Sequence, residues 1–256
     1  MENKVGVVTG AAGGIGAAVA RELAEGGAVV AALDSDSVAL REAVAKMVAD
    51  GLRVVAFPVD VTSSREVENV IDAVEVGLGP VEFLVNVAGV LRMAEARAVT
   101  DKDWADTFAV NTTGVFHMSR AVVNRMVPRA RGAVVTVASN AASTPRMFMA
   151  AYASSKAATT MYTKCLGLEV ARHGIRCNVV APGSTDTTML RAMWHDQTGM
   201  QSTVDGSLET FKPGIPLGKL GRAADVAHAV TFLLSDRAGH ITMHELTVDG
   251  GATLGA

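Results

Sequence analysis

Residues 151–159 read AYASSKAAT, with Tyr152 four positions before Lys156 among alanine, serine and threonine. On an α-helix, positions i and i+4 share a face, so phenol and ammonium would stand side by side. A free tyrosine ionises near a pH of about 10 and is a poor base at neutrality. A neighbouring cation favours the phenolate, which gives a proton acceptor suited to alcohol oxidation. The small neighbours would let a substrate approach the helix. Tyr162, the other tyrosine of the chain, has Leu166 at i+4 and reads as packing. Taken alone, the Tyr152–Lys156 pair reads by default as an ordinary i, i+4 pair on a solvated helix face.

A second stretch, TGAAGGIG, covers Thr9, Gly10, Gly14, Ile15 and Gly16 and lies between a strand pattern and a helix pattern. Missing Cβ atoms let a pyrophosphate approach the backbone, and a helix N-terminus offers free N–H groups and a positive dipole end. Asp34 closes the next strand, where a carboxylate can accept from ribose hydroxyls and would repel a 2′-phosphate. The residues that follow, Ser35, Asp36 and Ser37, include no arginine. NAD is therefore expected over NADP. A helix cap is the competing role for Asp34, with Asp36 the better placed of the two. Asp60, in PVDV with Val61, is expected at the end of the third strand, facing an adenine.

These groups need a scaffold. Valine-rich runs at 4–9, 28–34, 53–60, 81–89, 132–139, 175–183 and 245–251 read as strands. Helical patterns at 14–26, 36–50, 64–77, 101–127, 150–173 and 223–234 separate them. Strands that are apolar on both faces and alternate with helices imply a doubly wound parallel sheet of about seven strands, α/β in class, with helices on both faces. No linker or repeat divides the 256 residues, so one domain is expected. The stretch 184–221 lacks a clear pattern and holds Met189, Met193, Trp194 and Met200. It reads as a lid on a partly apolar ligand, or as a short helix over the core.

Composition narrows the function further. Net charge is −3 and the 23 Lys and Arg residues are scattered, unlike a nucleic-acid surface. No apolar run reaches the roughly 18 residues of a membrane span. The N-terminal residues enter a strand at once, without a signal-peptide pattern. Cys165 and Cys177 share no metal-ligand spacing and read as small buried hydrophobes. No metal is expected, and the setting should be soluble, reducing and cytoplasmic.

The glycine turn has the form T-G-x-x-x-G-x-G. With Asp34, the NVAG run (Asn86, Ala88, Gly89), Asn111 in FAVNTTG, Ser139, Y-x-x-x-K and Pro182-Gly183, it falls in an order that resembles the short-chain dehydrogenase/reductase family. The resemblance implies a single Rossmann domain over 1–256. It makes Ser139 a holder of the substrate oxygen, Tyr152 the base and Lys156 its partner, with Asn111 binding a relay water. It implies cofactor contacts from Gly10, Gly14, Ile15, Gly16, Asp34, Asp60, Val61, Asn86, Ala88, Gly89, Tyr152, Lys156, Pro182, Gly183 and Thr185. Thr187 would meet the nicotinamide carboxamide. Helices 101–127 and 150–173, with the C-terminal VDGGATLGA, resemble the family's two dimer surfaces, and a homotetramer follows.

Finer runs, among them VTVASNAASTPRMFMAAYASSKAA (135–158) and FKPGIPLGKL (211–220), are similar to members that oxidise 2,3-dihydro-2,3-dihydroxybenzoate to the catechol acid of siderophores. A carboxylated cyclohexadiene as the small-molecule substrate would suit Arg146, a bidentate carboxylate ligand, with Arg92 as a second candidate. Met93 and Met189 could pack on the ring, or equally on the core. Arg146 could also be an ordinary surface residue after Pro145. Leu190 stands where the family carries glutamine, and Phe148 where relatives carry a small residue. These departures keep open trans-2,3-dihydro-3-hydroxyanthranilate, with an amine on ring carbon 2. A general carbonyl reductase and a non-catalytic scaffold are weaker readings. Asp34 opposes the first, and the intact catalytic set opposes the second.

Overall fold

The computed structural model describes every residue except His195, Gln197 and Ala256. Those parts of the expected lid and C-terminal segment lie outside the described residues.

Seven parallel strands form one sheet. They are β1 (Val5–Thr9), β2 (Val29–Asp34), β3 (Val54–Pro58), β4 (Val81–Asn86), β5 (Gly132–Val137), β6 (Ile175–Pro182) and, after a separate two-strand hairpin, β9 (Glu245–Val248). The hairpin pairs β7 (Gly206–Ser207) with β8 (Lys212–Pro213). The order in the main sheet is β3-β2-β1-β4-β5-β6-β9.

Register aligns the strands so that whole rows of side chains face one way. Ala31, Val7, Leu84, Val134 and Cys177 form one row, each opposite the next. All five belong to the core beneath helices α3 (Ser64–Leu78) and α5 (Val115–Met126). Their neighbours Ala32, Val8, Val85 and Val135 face the other way. They pack against α1 (Gly14–Glu25), α2 (Ser37–Ala49) and α9 (Ala223–Leu234). A period of two with apolar residues on both faces is what a covered parallel sheet requires. Each fully buried Val or Leu contributes about 1.5–3 kcal/mol by leaving water.

Helix starts follow local chemistry. The Asp36 carboxylate accepts from the Val38 and Ala39 amides to cap α2, as the sequence suggested. Ser63 caps α3, and Thr100 caps α4 (Asp101–Phe108) by accepting from the Asp103 amide.

The structure departs from the sequence reading in three places. The helix expected over 101–127 is interrupted by a π-helical turn at Ala109–Gly114, between α4 and α5. The stretch 184–221 carries α7 (Thr188–Arg191), α8 (Gly199–Asp205) and the β7–β8 hairpin. Cys165 is exposed, and only Cys177 is buried. On α6 (Ala150–Val170) the buried stripe runs through Lys156, Thr159, Thr163, Gly167 and Val170. Cys165 falls two residues from both Thr163 and Gly167, on the opposite face.

No helix among the described residues is long and apolar enough to cross a membrane.

Candidate active site

Strands β1 and β4 are neighbours, and the chain leaves β1 for β2 on the opposite side. Ligands of doubly wound sheets bind beyond the strand ends at such a switch point. A cleft of about 840 Å³ lies there, floored by residues 10–16 and 87–93 and roofed by residues from 184–212.

At two positions the turn after β1 leaves no room for a side chain. A Cβ on Gly16 would stand 2.0 Å from the Gly10 carbonyl oxygen, and Gly10 itself has φ +68° with the Ala88 backbone 2.9 Å from its Cβ position. Helix α1 begins at Gly14 with no side-chain cap, so its first N–H groups remain open at the cleft wall. A glycine cradle at an uncapped N-terminus fits a pyrophosphate. At the end of β2 the Asp34 carboxylate is pinned, accepting from Ala12 N at 3.1 Å and Asp36 N at 3.0 Å. It is therefore braced from two sides while still lining the cleft. Asp60 sits two residues past β3, with its carboxylate accepting from Thr62 N and Oγ1, and it lines the cleft with Val61.

Helix α6 has an unusual buried face of small hydroxyl residues. Ser155 donates to the Tyr152 carbonyl, Thr159 to the Ser155 carbonyl and Thr163 to the Thr159 carbonyl. These three hydroxyls are satisfied by their own helix, which lets Ser155, Thr159 and Thr163 be buried, whereas the buried Thr160 hydroxyl has no partner among the described residues. Tyr152 and Lys156 then reach the cleft beside Ser139, which lies just past β5.

Burial pushes the Tyr152 phenol up, and a hydrogen bond with the Ser139 hydroxyl opposes the rise. The Ser139 oxygen also accepts from Ala141 N at 3.1 Å. Lys156 is buried, and loss of water lowers it to about 8. Its ammonium donates to the Val137 carbonyl at 3.0 Å and stands 5.8 Å from the centre of the Tyr152 ring. The sequence reading made the ammonium the group that favours the phenolate. In the protein by itself, desolvation dominates both groups, and Ser139 counters it at Tyr152.

Most expected site residues line this one cleft. Gly10, Gly14, Ile15, Gly16, Asp34, Asp60, Val61, Ala88, Gly89, Pro182, Gly183, Thr185 and Thr187 lie along it. So do Met93, Ser139, Arg146, Phe148, Tyr152, Lys156, Met189 and Leu190. Three do not. Asn86 points into the sheet–helix layer, where its amide donates to Ser119 Oγ at 3.0 Å. It shares parity with Leu84, so it faces α5. Asn111 is fully buried behind the Gly89–Val90 turn. Arg92 is exposed, with its Nε 3.9 Å from Asp103.

Phe148 adopts φ +65°, rare for a bulky residue. Its carbonyl accepts from Ala94 N at 3.0 Å, tying the substrate-side segment to the loop after β4. Met193 and Trp194, named with the expected lid, line the cleft. Trp194 is anchored through Nε1 to Thr203 Oγ1 at 3.2 Å. Met147 and Lys212 also line it, and neither has a signal in the sequence that marks it.

Known proteins extend this picture. Residues 4–198 match the family model described as short chain dehydrogenase. A 2,3-dihydro-2,3-dihydroxybenzoate dehydrogenase of Bacillus subtilis (strain 168) is 53% identical over 255 residues, covering 100% of this chain and 98% of that protein. The enzyme of the same name from Escherichia coli (strain K12) is 42% identical, covering 97% and 96%. The crystal structure of gox2181 matches with a TM-score of 0.92 at 33% identity, covering 99% of this chain and 97% of the other. The cradle after β1, the Ser139–Tyr152–Lys156 cluster and these end-to-end similarities agree, and the chain belongs to the short-chain dehydrogenase family.

Proposed function

We propose that this enzyme oxidises 2,3-dihydro-2,3-dihydroxybenzoate to 2,3-dihydroxybenzoate, a siderophore precursor, with NAD as the acceptor. The observation that carries the reading is the meeting, in one cleft, of Ser139, Tyr152 and Lys156 with the cation of Arg146. Relatives bearing that enzyme name at 53% and 42% identity favour the diol over the amino analogue. Leu190 and Phe148 line the cleft, where they would meet the ring.

The cofactor would lie across the β1 turn, its pyrophosphate on the Gly14–Gly16 end of α1 and its ribose at Asp34. A fixed carboxylate there favours NAD, because a 2′-phosphate would meet like charge. Asp60, Val61, Ala88 and Gly89 would flank the adenosine half. Pro182, Gly183, Thr185 and Thr187 would flank the nicotinamide half. When bound, the nicotinamide ring accepts the hydride leaving ring carbon 3. Ser139 holds the carbon-3 oxygen, and Tyr152 removes its proton. Lys156 supplies positive charge beside the phenol and a donor toward the ribose. The ring ketone left behind loses its carbon-2 proton and regains one on oxygen, becoming aromatic, which drives the reaction toward oxidation.

Residues 184–221 act as the lid of the site. A homotetramer completes the assembly. Met161 and Leu168 on α6 and Trp104 on α4 are well-exposed apolar side chains on the helices expected to pair. A cytoplasmic setting suits two unpaired cysteines.

The test is reduction of NAD and of NADP by purified enzyme with each dihydro acid. Turnover of the diol with NAD at least tenfold ahead of the amino acid and of NADP is expected. Preference for the amino acid would overturn the substrate assignment, and preference for NADP would overturn the role of Asp34.

A further inference from the structure

Two cations from distant parts of the chain line one cleft, near enough for their charges to repel. Arg146 lies between β5 and α6, and Lys212 opens strand β8 of the lid hairpin. Both are half-buried and line the same cavity. Lys212 has lost water to its surroundings, and the Arg146 charge disfavours its ammonium further. Arg146 is likewise dehydrated, and among the described residues Asp249 is the acidic group whose charge reaches it.

That carboxylate is already engaged. It accepts from Gly251 N, Thr253 N, Thr253 Oγ1 and Asn140 Nδ2. Among the described residues, the Arg146 guanidinium donates only to the Pro145 carbonyl, at 3.5 Å. Two partly desolvated like charges therefore face a cleft whose other walls include Met189, Leu190 and Met193. Such an arrangement is unfavourable until an anion lies between them.

We propose that Lys212 is a specificity residue that binds the substrate carboxylate jointly with Arg146. The segment roofing the cleft then reads the charge of the ring while its apolar residues read the ring's shape. The proposal rests on the functional reading above, in that it supplies a second ligand for the acid group of that substrate. It also gives the lysine of FKPGIPLGKL a purpose that its neighbours in sequence do not reveal, since its partner lies 66 positions away.

Two measurements test it. The first compares kcat/KM for the carboxylated diol and for the same cyclohexadiene diol without its carboxylate, in wild type, Lys212→Gln, Lys212→Arg and Arg146→Gln. The second is calorimetric titration of each protein with benzoate, which needs no turnover. Lys212→Gln is expected to lower the acid-over-neutral ratio about 10- to 100-fold, the range of one charge-assisted hydrogen bond. It should weaken benzoate by a similar factor, and Lys212→Arg should recover most of both. Unchanged selectivity and benzoate affinity in Lys212→Gln would overturn the proposal. So would loss in Lys212→Gln that Lys212→Arg does not recover, because charge would then not be the cause. If wild type turns over neither diol, the functional reading fails, and the benzoate titration still decides the cation pair.

Discussion

Asn111 grips the backbone of Val90 in both directions. Val90 N donates to Asn111 Oδ1 at 2.8 Å, and Asn111 Nδ2 donates to the Val90 carbonyl at 3.0 Å. The same amide donates to Ser155 Oγ at 2.9 Å. The residue thus ties the loop after β4, which floors the cleft, to the helix that carries Tyr152 and Lys156. It reaches this position from the π-helical turn, a distortion often retained at functional sites.

Replacing Asn111 leaves several buried polar groups without partners. Asn111→Ala is expected to lower the unfolding free energy by about 2–4 kcal/mol. Asn111→Asp should also destabilise, because a carboxylate cannot donate to the Val90 carbonyl. Urea denaturation of the three proteins checks both.

Lys156 makes stability depend on pH. In the unfolded chain it keeps its proton up to its ordinary value of 10.5, whereas burial brings the folded group to about 8. Between these values the unfolded state binds more protons, so stability rises with pH. The contribution is complete above 10.5 and is lost as pH falls through about 8. Tyr152, pushed up by burial, works in the opposite sense above its ordinary value of 10. Denaturant midpoints measured between those limits should rise in wild type and be flatter in Lys156→Met.

Ser139 counters the burial of Tyr152. Ser139→Ala therefore raises the phenol further, and the acid limb of kcat/KM for oxidation should move to higher pH. On the proposed role of Ser139 as holder of the substrate oxygen, loss of its hydroxyl adds roughly a 100-fold fall in rate. A pH–rate profile in which the limb does not move would refute the coupling between the two residues.

The turn after β1 predicts a contrast between neighbouring glycines. Gly16→Ala forces a carbon against the Gly10 carbonyl, while a Cβ on Gly13 meets nothing within 4 Å. Gly16→Ala should cost more than about 2 kcal/mol of stability, and Gly13→Ala should leave the melting temperature within about 2 °C, the shift given by a few tenths of a kcal/mol. Thermal melts of the two variants without cofactor separate packing from ligand loss.

Much of this was readable from residue order. Valine-rich runs fix strands because rows such as Val7 and Leu84 are buried on one face while Val8 and Val85 are buried on the other. The Asp36 cap and the Tyr152–Lys156 spacing are local, and local chemistry is visible in sequence. The π turn is not visible in the sequence, because 101–127 reads as one helical run and the change from i+4 to i+5 backbone pairing at Ala109–Gly114 carries no residue signature of its own. The motif does not reveal that the Asn86 side chain, through its strand parity with Leu84, turns toward Ser119. Lys212 was missed because its meaning depends on Arg146, and only the fold brings them together. Cys165 was misplaced because the polar, small-residue stripe of α6 is its buried one, the reverse of an ordinary amphipathic helix.

The π turn has one more consequence. An α-helix advances about 100° per residue, so an extra residue within one turn sets the helix that follows out of phase with the helix before it by that angle. Helix α5 can therefore direct Met118, Val122 and Met126 at the sheet while α4 lies against α6. A single-residue deletion in 109–114 would restore regular hydrogen bonding and yet rotate Trp104 and Phe108 about a quarter turn around the axis. The turn is a gear offset between two parts of one rod, and the alignment of the helix that carries Tyr152 with the loop after β4 depends on it.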